Sequence, residues 1–276
     1  SAEPSVLAGF NSSPSYLLNT NLVGTINCLE YARKYNAKFI FLSTSRVYPI
    51  EYINSLKFTE TNTRFELEDN QKLQGASSKG YSELFPLDKA RSLYGTTKLS
   101  SELIIQEYID MYDMKAIINR CGVLTGPGQF GKSDQGVVVL WVAKHFWKQK
   151  LSYIGYGGKG KQVRDILHVD DLFDLVDYQI DNIEKLNGEI FNVGGGRDIS
   201  VSLQELTSIC EKYTGNKIEI EEVNEDRTAD IRIYLTDNSK VEKMTGWKPK
   251  KTPNQIIEEI YNWINQNEKQ LEGILK

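Results

Sequence analysis

The chain has 276 residues, enough for one large core or two smaller lobes. A charged fraction of 25% and a net charge of −4 are ordinary for a globular protein, with no long basic run for nucleic acid and no apolar run long enough to cross a bilayer. Three cysteines (Cys28, Cys121, Cys210), odd in number and far apart, argue against a disulfide framework or a zinc site.

In chain order, Ser1 to Val6 has no initiator Met and reads as the end of a strand entering a loop, as in a fragment or a processed chain. No signal peptide is visible, so a cytoplasmic protein is expected. Residues 14–35 carry Leu18, Leu22, Ile26 and Leu29 at helical spacing. The apolar run from Lys38 to Ser45 predicts a buried parallel strand. A long polar connection follows, from Glu51 to about Leu87, and then a helix containing Tyr94 to Met111, with Leu99, Leu103, Ile104 and Tyr108 as its apolar residues. The run from Lys115 to Leu124 predicts a second buried strand, ended by the turn-rich residues 125–131. Residues 137–146 read as a helix, 166–169 and 189–193 as short strands around an acidic helix at 170–180, and 200–213 and 255–268 as further helices. Strand and helix alternate at crossover spacing, which predicts an α/β parallel sheet rather than a bundle or sandwich. Turn residues at 125–131 and 155–160, and a more polar stretch from about 197, predict a smaller appended lobe.

Thr44, Tyr94 and Lys98 form the leading candidate constellation. Tyr94 and Lys98 lie four apart on a predicted helix and share a face. A phenol with a pKa of about 10 is a poor base at neutral pH, and a neighbouring ammonium favours its phenolate. A hydroxyl at the end of a neighbouring strand could then hold a substrate alcohol. With 15 Tyr in the chain, roughly one Y-x-x-x-K match is expected by chance, and Tyr213–Lys217 also matches.

Two glycine motifs compete for a phosphate. Gly155-Tyr-Gly-Gly-Lys-Gly160 fits G-x-G-x-x-G, but a predicted strand follows it where a helix N-terminus is needed, so it is rejected as a dinucleotide loop. The run Gly126-Pro-Gly-Gln-Phe-Gly131-Lys132-Ser133 fits the P-loop pattern between a strand and a helix, which keeps an NTPase open as an alternative; residues 166–170 are its candidate magnesium partner. Arg164-Asp165 at the start of a strand is positioned for a phosphate and a hydroxyl. Arg227 and Asp230 offer a second phosphate or ribose contact. The strand Phe191-Asn-Val ends in Gly194-Gly-Gly196, which allows close backbone approach.

Together these segments resemble the extended short-chain dehydrogenase/reductase family. The landmarks are Asn21-Leu-Val-Gly-Thr25, Phe41-Leu-Ser-Thr44-Ser-Arg-Val-Tyr48, Tyr94-Gly-Thr-Thr-Lys98, Arg164-Asp-Ile-Leu-His-Val-Asp170 and Phe191-Asn-Val-Gly-Gly195, and the resemblance runs from about Ala2 to Trp247. It implies a doubly wound, Rossmann-like NAD-binding sheet, truncated at its N-terminus, with a smaller C-terminal substrate lobe. On that resemblance the NAD-binding part is 1–124 with 164–195, and the nucleotide-sugar lobe is 125–163 with 196–276. Thr44, Tyr94 and Lys98 match the catalytic trio. Asn21 and Cys121 join Tyr94 and Lys98 as cofactor contacts, Arg164 and Arg227 match the diphosphate contacts, and Asp230 lies beside them. No metal is implied. A homo-oligomer, dimer or tetramer, is implied, formed through the Tyr94 helix and the 14–35 helix.

Two departures narrow the chemistry. Sugar 4,6-dehydratases of the family carry Asp-Glu after the catalytic Thr, where this chain has Ser45-Arg46, which disfavours dehydration. The run from Gly126 to Trp141 resembles the branch of CDP-paratose (CDP-tyvelose) 2-epimerases, with Gln129, Asp134 and Gln135 as candidate sugar-pocket residues. The implied activity is NAD-dependent epimerisation at C2 of a CDP-linked deoxyhexose. A UDP-hexose 4-epimerase, a P-loop NTPase and an inactive nucleotide-sugar-binding fragment are the alternatives. The glycine-rich phosphate loop expected after the family's first strand has no counterpart in the chain.

Overall fold

In the computed structural model, residues 3, 5–9, 13–131 and 135–276 are described. Helix α1 (Ser15–Leu18) runs through a π turn at Asn19–Val23 into α2 (Gly24–Tyr35), which ends at Asn36 in the left-handed conformation. The π turn shifts the buried line of this helical run. Leu17, Asn21, Leu29 and Ala32 face inward, while Leu18, first in the predicted apolar series, is exposed.

Three strands build the central sheet: β1 (Phe39–Thr44), β2 (Ala116–Cys121) and β6 (Ile190–Val193). The order is β1-β2-β6, all parallel, and the register sets Thr44 opposite Cys121. Such strands need cover on both faces. On one side α2 and α3 (Leu93–Tyr112) pack Leu29, Ala32 and Ile105 against Phe41, Ala116 and Ile118. On the other, α5 (Val169–Asp181) packs Leu172 and Leu175 against Ile117, Cys121, Phe191 and Val193. The sheet is therefore doubly wound, as expected.

At Gly122 the chain leaves β2 and continues as β3 (Val123–Thr125), which pairs with β5 (Val163–His168). Strand β5 also pairs with the antiparallel β7 (Ser200–Ser202) and the parallel β9 (Ile233–Tyr234). Helices α4 (Val137–Phe146), α6 (Leu203–Thr214), α7 (Pro253–Gln266) and α8 (Glu268–Leu275) share a separate core with Trp141, Leu206, Ile256, Ile260 and Ile264. The parallel pair β4 (Leu151–Ile154) and β8 (Ile220–Val223) lies at its side.

Two stretches differ from expectation. Residues 51–87 are not one polar connection. They hold a short helix (Ile50–Ser55) and two hairpins, Phe58–Glu60 with Phe65–Leu67 and Ala76–Ser77 with Gly80–Tyr81. Widely spaced apolar residues anchor them, Ile53, Leu56, Phe65, Tyr81 and Phe85 joining Ile231 and Tyr234 in one core. The helix expected over 200–213 begins only after the strand at 200–202, where Ser202 and Glu205 form a reciprocal cap.

Candidate active site

The site forms where β1 ends against the first turn of α3. Ser92 caps α3, its hydroxyl accepting from the Gly95 amide at 3.1 Å. Gly95 lies against the backbone of the turn Ser45–Val47: a Cβ there would sit 2.1 Å from the Arg46 carbonyl oxygen, so only glycine lets helix and turn meet. That contact brings Tyr94 beside Thr44, whose hydroxyl acts on the phenol. Thr44 also caps its own turn, accepting from the Arg46 amide at 3.2 Å. Both Thr44 and Tyr94 are buried.

Burial pushes the Tyr94 phenol above its ordinary range, opposed by the Thr44 hydrogen bond and the positive charge of Arg46. Lys98 lies one helical turn further along α3. Its ammonium donates to the Leu42 carbonyl at 2.7 Å and lies 4.4 Å from the centre of the Phe41 ring. The helical turn that separates Tyr94 from Lys98 aims the lysine at the strand. Burial lowers the Lys98 pKa, against the pull of Cys121 and Glu102.

Asn21 and Cys121, expected at the cofactor, are turned inward. The Asn21 side chain accepts from the Glu3 amide at 2.8 Å and donates to the Glu3 carbonyl at 3.0 Å and the Thr97 hydroxyl at 3.3 Å. The Cys121 thiol reaches the Asn119 carbonyl at 3.6 Å, and burial pushes it up to about 12. Behind the site lies a network that spacing did not reveal. Arg120 of β2 meets the Glu102 carboxylate of α3 through Nε at 3.0 Å and Nη2 at 2.7 Å. Ser43 donates to the same carboxylate, and Arg120 Nη1 donates to the Tyr48 hydroxyl at 3.2 Å.

Of the candidate substrate contacts, Arg164 and Asp230 find each other: Nη2 donates to Oδ1 at 3.0 Å. Arg46 reaches the same loop, Nη1 donating to the Ala229 carbonyl at 3.3 Å. Burial, then the charge of Arg164, pushes Arg46 down to about 10. Arg227, on that loop, is exposed. Gln129 closes its own turn, accepting from Thr125 at 3.0 Å and donating to Leu124 at 3.1 Å, and Gln135 is half-buried just ahead of α4. Asp134, with Lys132 and Ser133, lies outside the described residues.

Several motifs resolve into internal contacts. Asp165, read as a ligand for a hydroxyl, is fully buried and accepts from the Gly196 and Thr236 amides, each at 3.0 Å. The close approach at Gly194 is to these same groups, since a Cβ there would stand 2.3 Å from Asp165 Oδ2. In the P-loop-like run, Lys132 and Ser133 lie outside the described residues, and α4 begins only at Val137, after the left-handed Gly136. Residues 155–160 turn through Tyr156–Gly158 into β5, not a helix. His168, Asp170 and Glu259 could group their ligand atoms within 4.8 Å, but Lys251 donates to both carboxylates at 2.7 Å and supplies the cation there.

Comparison with known proteins gives a consistent result. The profile of the NAD dependent epimerase/dehydratase family matches residues 2–194. The CDP-paratose 2-epimerase of Salmonella typhi is 30% identical over 263 residues, spanning 92% of this chain and 73% of that protein. The UDP-glucose 4-epimerase of Thermotoga maritima, solved with UDP-glucose, has a TM-score of 0.76 at 24% identity over 97% of this chain and 76% of its own. The dTDP-glucose 4,6-dehydratase of Bacillus anthracis str. Ames, solved with NAD, has a TM-score of 0.71 at 25% identity over 97% of this chain and 74% of its own.

Proposed function

The chain belongs to the NAD dependent epimerase/dehydratase family, and from that premise we propose that the protein inverts C2 of a CDP-linked deoxyhexose by transient oxidation. The observation that carries the proposal is the meeting of Thr44 and Tyr94 at the end of β1, one helical turn from Lys98. The similarity to a CDP-paratose 2-epimerase supports the choice of nucleotide and carbon. Ser45 and Arg46 support epimerisation over dehydration, since neither is an acid that can protonate a departing hydroxyl.

Bound NAD supplies a reversible hydride acceptor and is not consumed, because nothing net is oxidised. Tyr94 and Lys98 fit its ribose end: Leu42 takes one of the three ammonium protons of Lys98, leaving two donors. Tyr94, as phenolate, removes the proton of the C2 hydroxyl, and Thr44 holds the same oxygen. The proton returns from Tyr94 once the 2-keto sugar has presented its other face. Arg164 and Arg227 are assigned to the diphosphate, and Asp230, Gln129, Asp134 and Gln135 to the ribose and sugar. The cofactor part is 1–124 with 164–195, and the substrate lobe is 125–163 with 196–276; the separate core of the four helices α4, α6, α7 and α8 supports that division. Exposed apolar side chains on α2 (Tyr31, Tyr35) and α3 (Leu103, Met111, Tyr112) support a homodimer or tetramer formed through these helices.

A CDP-deoxyhexose deuterated at C2 tests the reaction. We expect a primary isotope effect when chemistry limits the rate, and retention of the label in the inverted product, because the same bound cofactor returns it. An isotope effect only at C4, as for a UDP-hexose 4-epimerase, or exchange of the label into water, would overturn the assignment.

A further inference from the structure

We propose that Asn54 is a positioning residue of this site: its side-chain amide clamps the backbone of residues 230–232 and so holds Asp230 against Arg164, ready for the nucleotide. The inference rests on the reading of Arg164 and Asp230 as nucleotide contacts. Asn54 lies in the short helix Ile50–Ser55, which follows the turn after β1. Its Nδ2 donates to the Asp230 carbonyl at 3.1 Å, and its Oδ1 accepts from the Arg232 amide at 3.1 Å. One side chain thus bridges the two backbone groups that flank Ile231, as a residue of a parallel strand would, from 176 and 178 positions away in sequence. Ile53 and Leu56 fix the helix itself, both buried in the core that also holds Ile231 and Tyr234.

The backbone groups of this segment must all find partners, and the others are taken elsewhere. The Asp230 amide donates to the Arg227 carbonyl at 3.2 Å, and the Ile231 amide to Asp230 Oδ1 at 2.8 Å. Arg164 takes the next two carbonyls, Nη2 donating to Ile231 at 2.6 Å and Nη1 to Arg232 at 3.4 Å. Arg46 meets the Ala229 carbonyl, so its hold ends one residue short. The Asp230 carbonyl and the Arg232 amide remain, and these are the two that Asn54 meets. Arg164 is itself assigned to the diphosphate. A segment tied to that guanidinium alone would loosen whenever it turned to a ligand, whereas Asn54 holds the segment independently of it. The hairpin after Asn54 grips the next side chain: the Arg232 guanidinium lies 4.1 Å from the centre of the Phe58 ring, 5.6 Å from Phe65 and, across the turn at 156–158, 5.0 Å from Tyr156. A segment kept in its binding conformation binds with its full intrinsic affinity. One that adopts it only part of the time binds more weakly by that fraction.

The test is calorimetric binding of CDP and of UDP to the NAD-loaded protein, wild type against Asn54→Leu, with the tighter nucleotide as probe and turnover of its sugar conjugate measured alongside. Asn54→Leu removes donor and acceptor at similar volume. The nucleotide Kd and the KM of the sugar nucleotide should rise roughly tenfold, the worth of about two ordinary hydrogen bonds that order the segment. NAD affinity and kcat at saturation should stay within about twofold of wild type, because Thr44, Tyr94 and Lys98 are untouched. Asn54→Asp, which keeps the acceptor for Arg232 and loses the donor to Asp230, carries the same expectation should Asn54→Leu fail to fold. Unchanged nucleotide affinity in a folded variant overturns the role of Asn54. A parallel loss of kcat and NAD affinity also overturns it, being the mark of general loosening. Binding of neither nucleotide by wild type overturns the assignment of Arg164 and Asp230, and the role of Asn54 with it, so the two failures are distinguishable.

Discussion

Removing the charge of Glu102 should destabilise the fold more than any other single change near the site. Its side chain is 0% exposed and that of its partner Arg120 4%, so the ion pair is sealed between α3 and β2. In Glu102→Gln, a neutral amide would face a guanidinium that has no water to turn to. Breaking a buried pair in this way costs about 3–5 kcal/mol, much of it the penalty of an orphaned charge. Ser43 also loses the carboxylate it donates to. For a chain of this size the loss corresponds to a fall of roughly 10 °C in Tm. Chemical denaturation of wild type and variant, followed by tryptophan fluorescence, measures it. The double variant Glu102→Gln/Arg120→Met should recover most of the stability, since an apolar pair leaves no buried charge behind. A loss below about 1 kcal/mol in the single variant would refute the reasoning, because it would mean that Arg120 finds solvent or another anion.

Two further outcomes are expected. Tyr94→Phe should abolish turnover while leaving NAD affinity near wild type by calorimetry, since it removes one hydroxyl, whereas Lys98→Met should weaken both, since it removes the charged group whose two remaining donors are assigned to the ribose. Asp165 sets a pH dependence: burial pushes its carboxyl from 3.8 up to about 6, so the folded state prefers it protonated, and its contribution is full below about pH 4 and is lost as pH rises through 6. The difference in stability between wild type and Asp165→Asn, which keeps an acceptor oxygen for the Gly196 and Thr236 amides, should therefore change by roughly 2 kcal/mol between pH 4 and pH 7; a flat difference in urea titrations at the two pH values would contradict it.

What was legible in the sequence follows from how each part is built. The runs around Phe39–Thr44 and Ala116–Cys121 are continuous and apolar because those strands are covered on both faces, and a continuous run is visible in one dimension. The candidate trio stands out in the sequence because the helical repeat links Tyr94 to Lys98. Helix α3 misled for the opposite reason. Its buried face carries Thr97, Ser101 and Glu102, whereas Leu103, 55% exposed, points to solvent. Thr97 and Ser101 are partly satisfied within the helix, but Asn21, Ser43 and Arg120 also meet this face from segments 18 to 76 residues away, and no local pattern records partners at that separation. The glycines at 194–196 were read correctly as a place of close approach, but the approaching group, Asp165, is internal. In the sequence Arg46 shows only that no acid follows Ser45; its reach to Ala229 is visible only in the folded chain.

That absence bears on the reaction as much as the residue itself does. Elimination of water from a sugar requires a group that donates a proton to the departing oxygen. A guanidinium remains protonated near neutral pH even when burial and Arg164 hold it down to about 10. Giving up its proton there is unfavourable, so it serves as a fixed charge rather than as an acid. A fixed positive charge beside Tyr94 stabilises steps in which negative charge gathers on oxygen, namely the phenolate before proton transfer and the alkoxide character of a carbinol losing hydride. It gives no help to a step in which hydroxyl must leave as water. On the proposed epimerase reading, the residue two positions after Thr44 favours oxidation and re-reduction over loss of water.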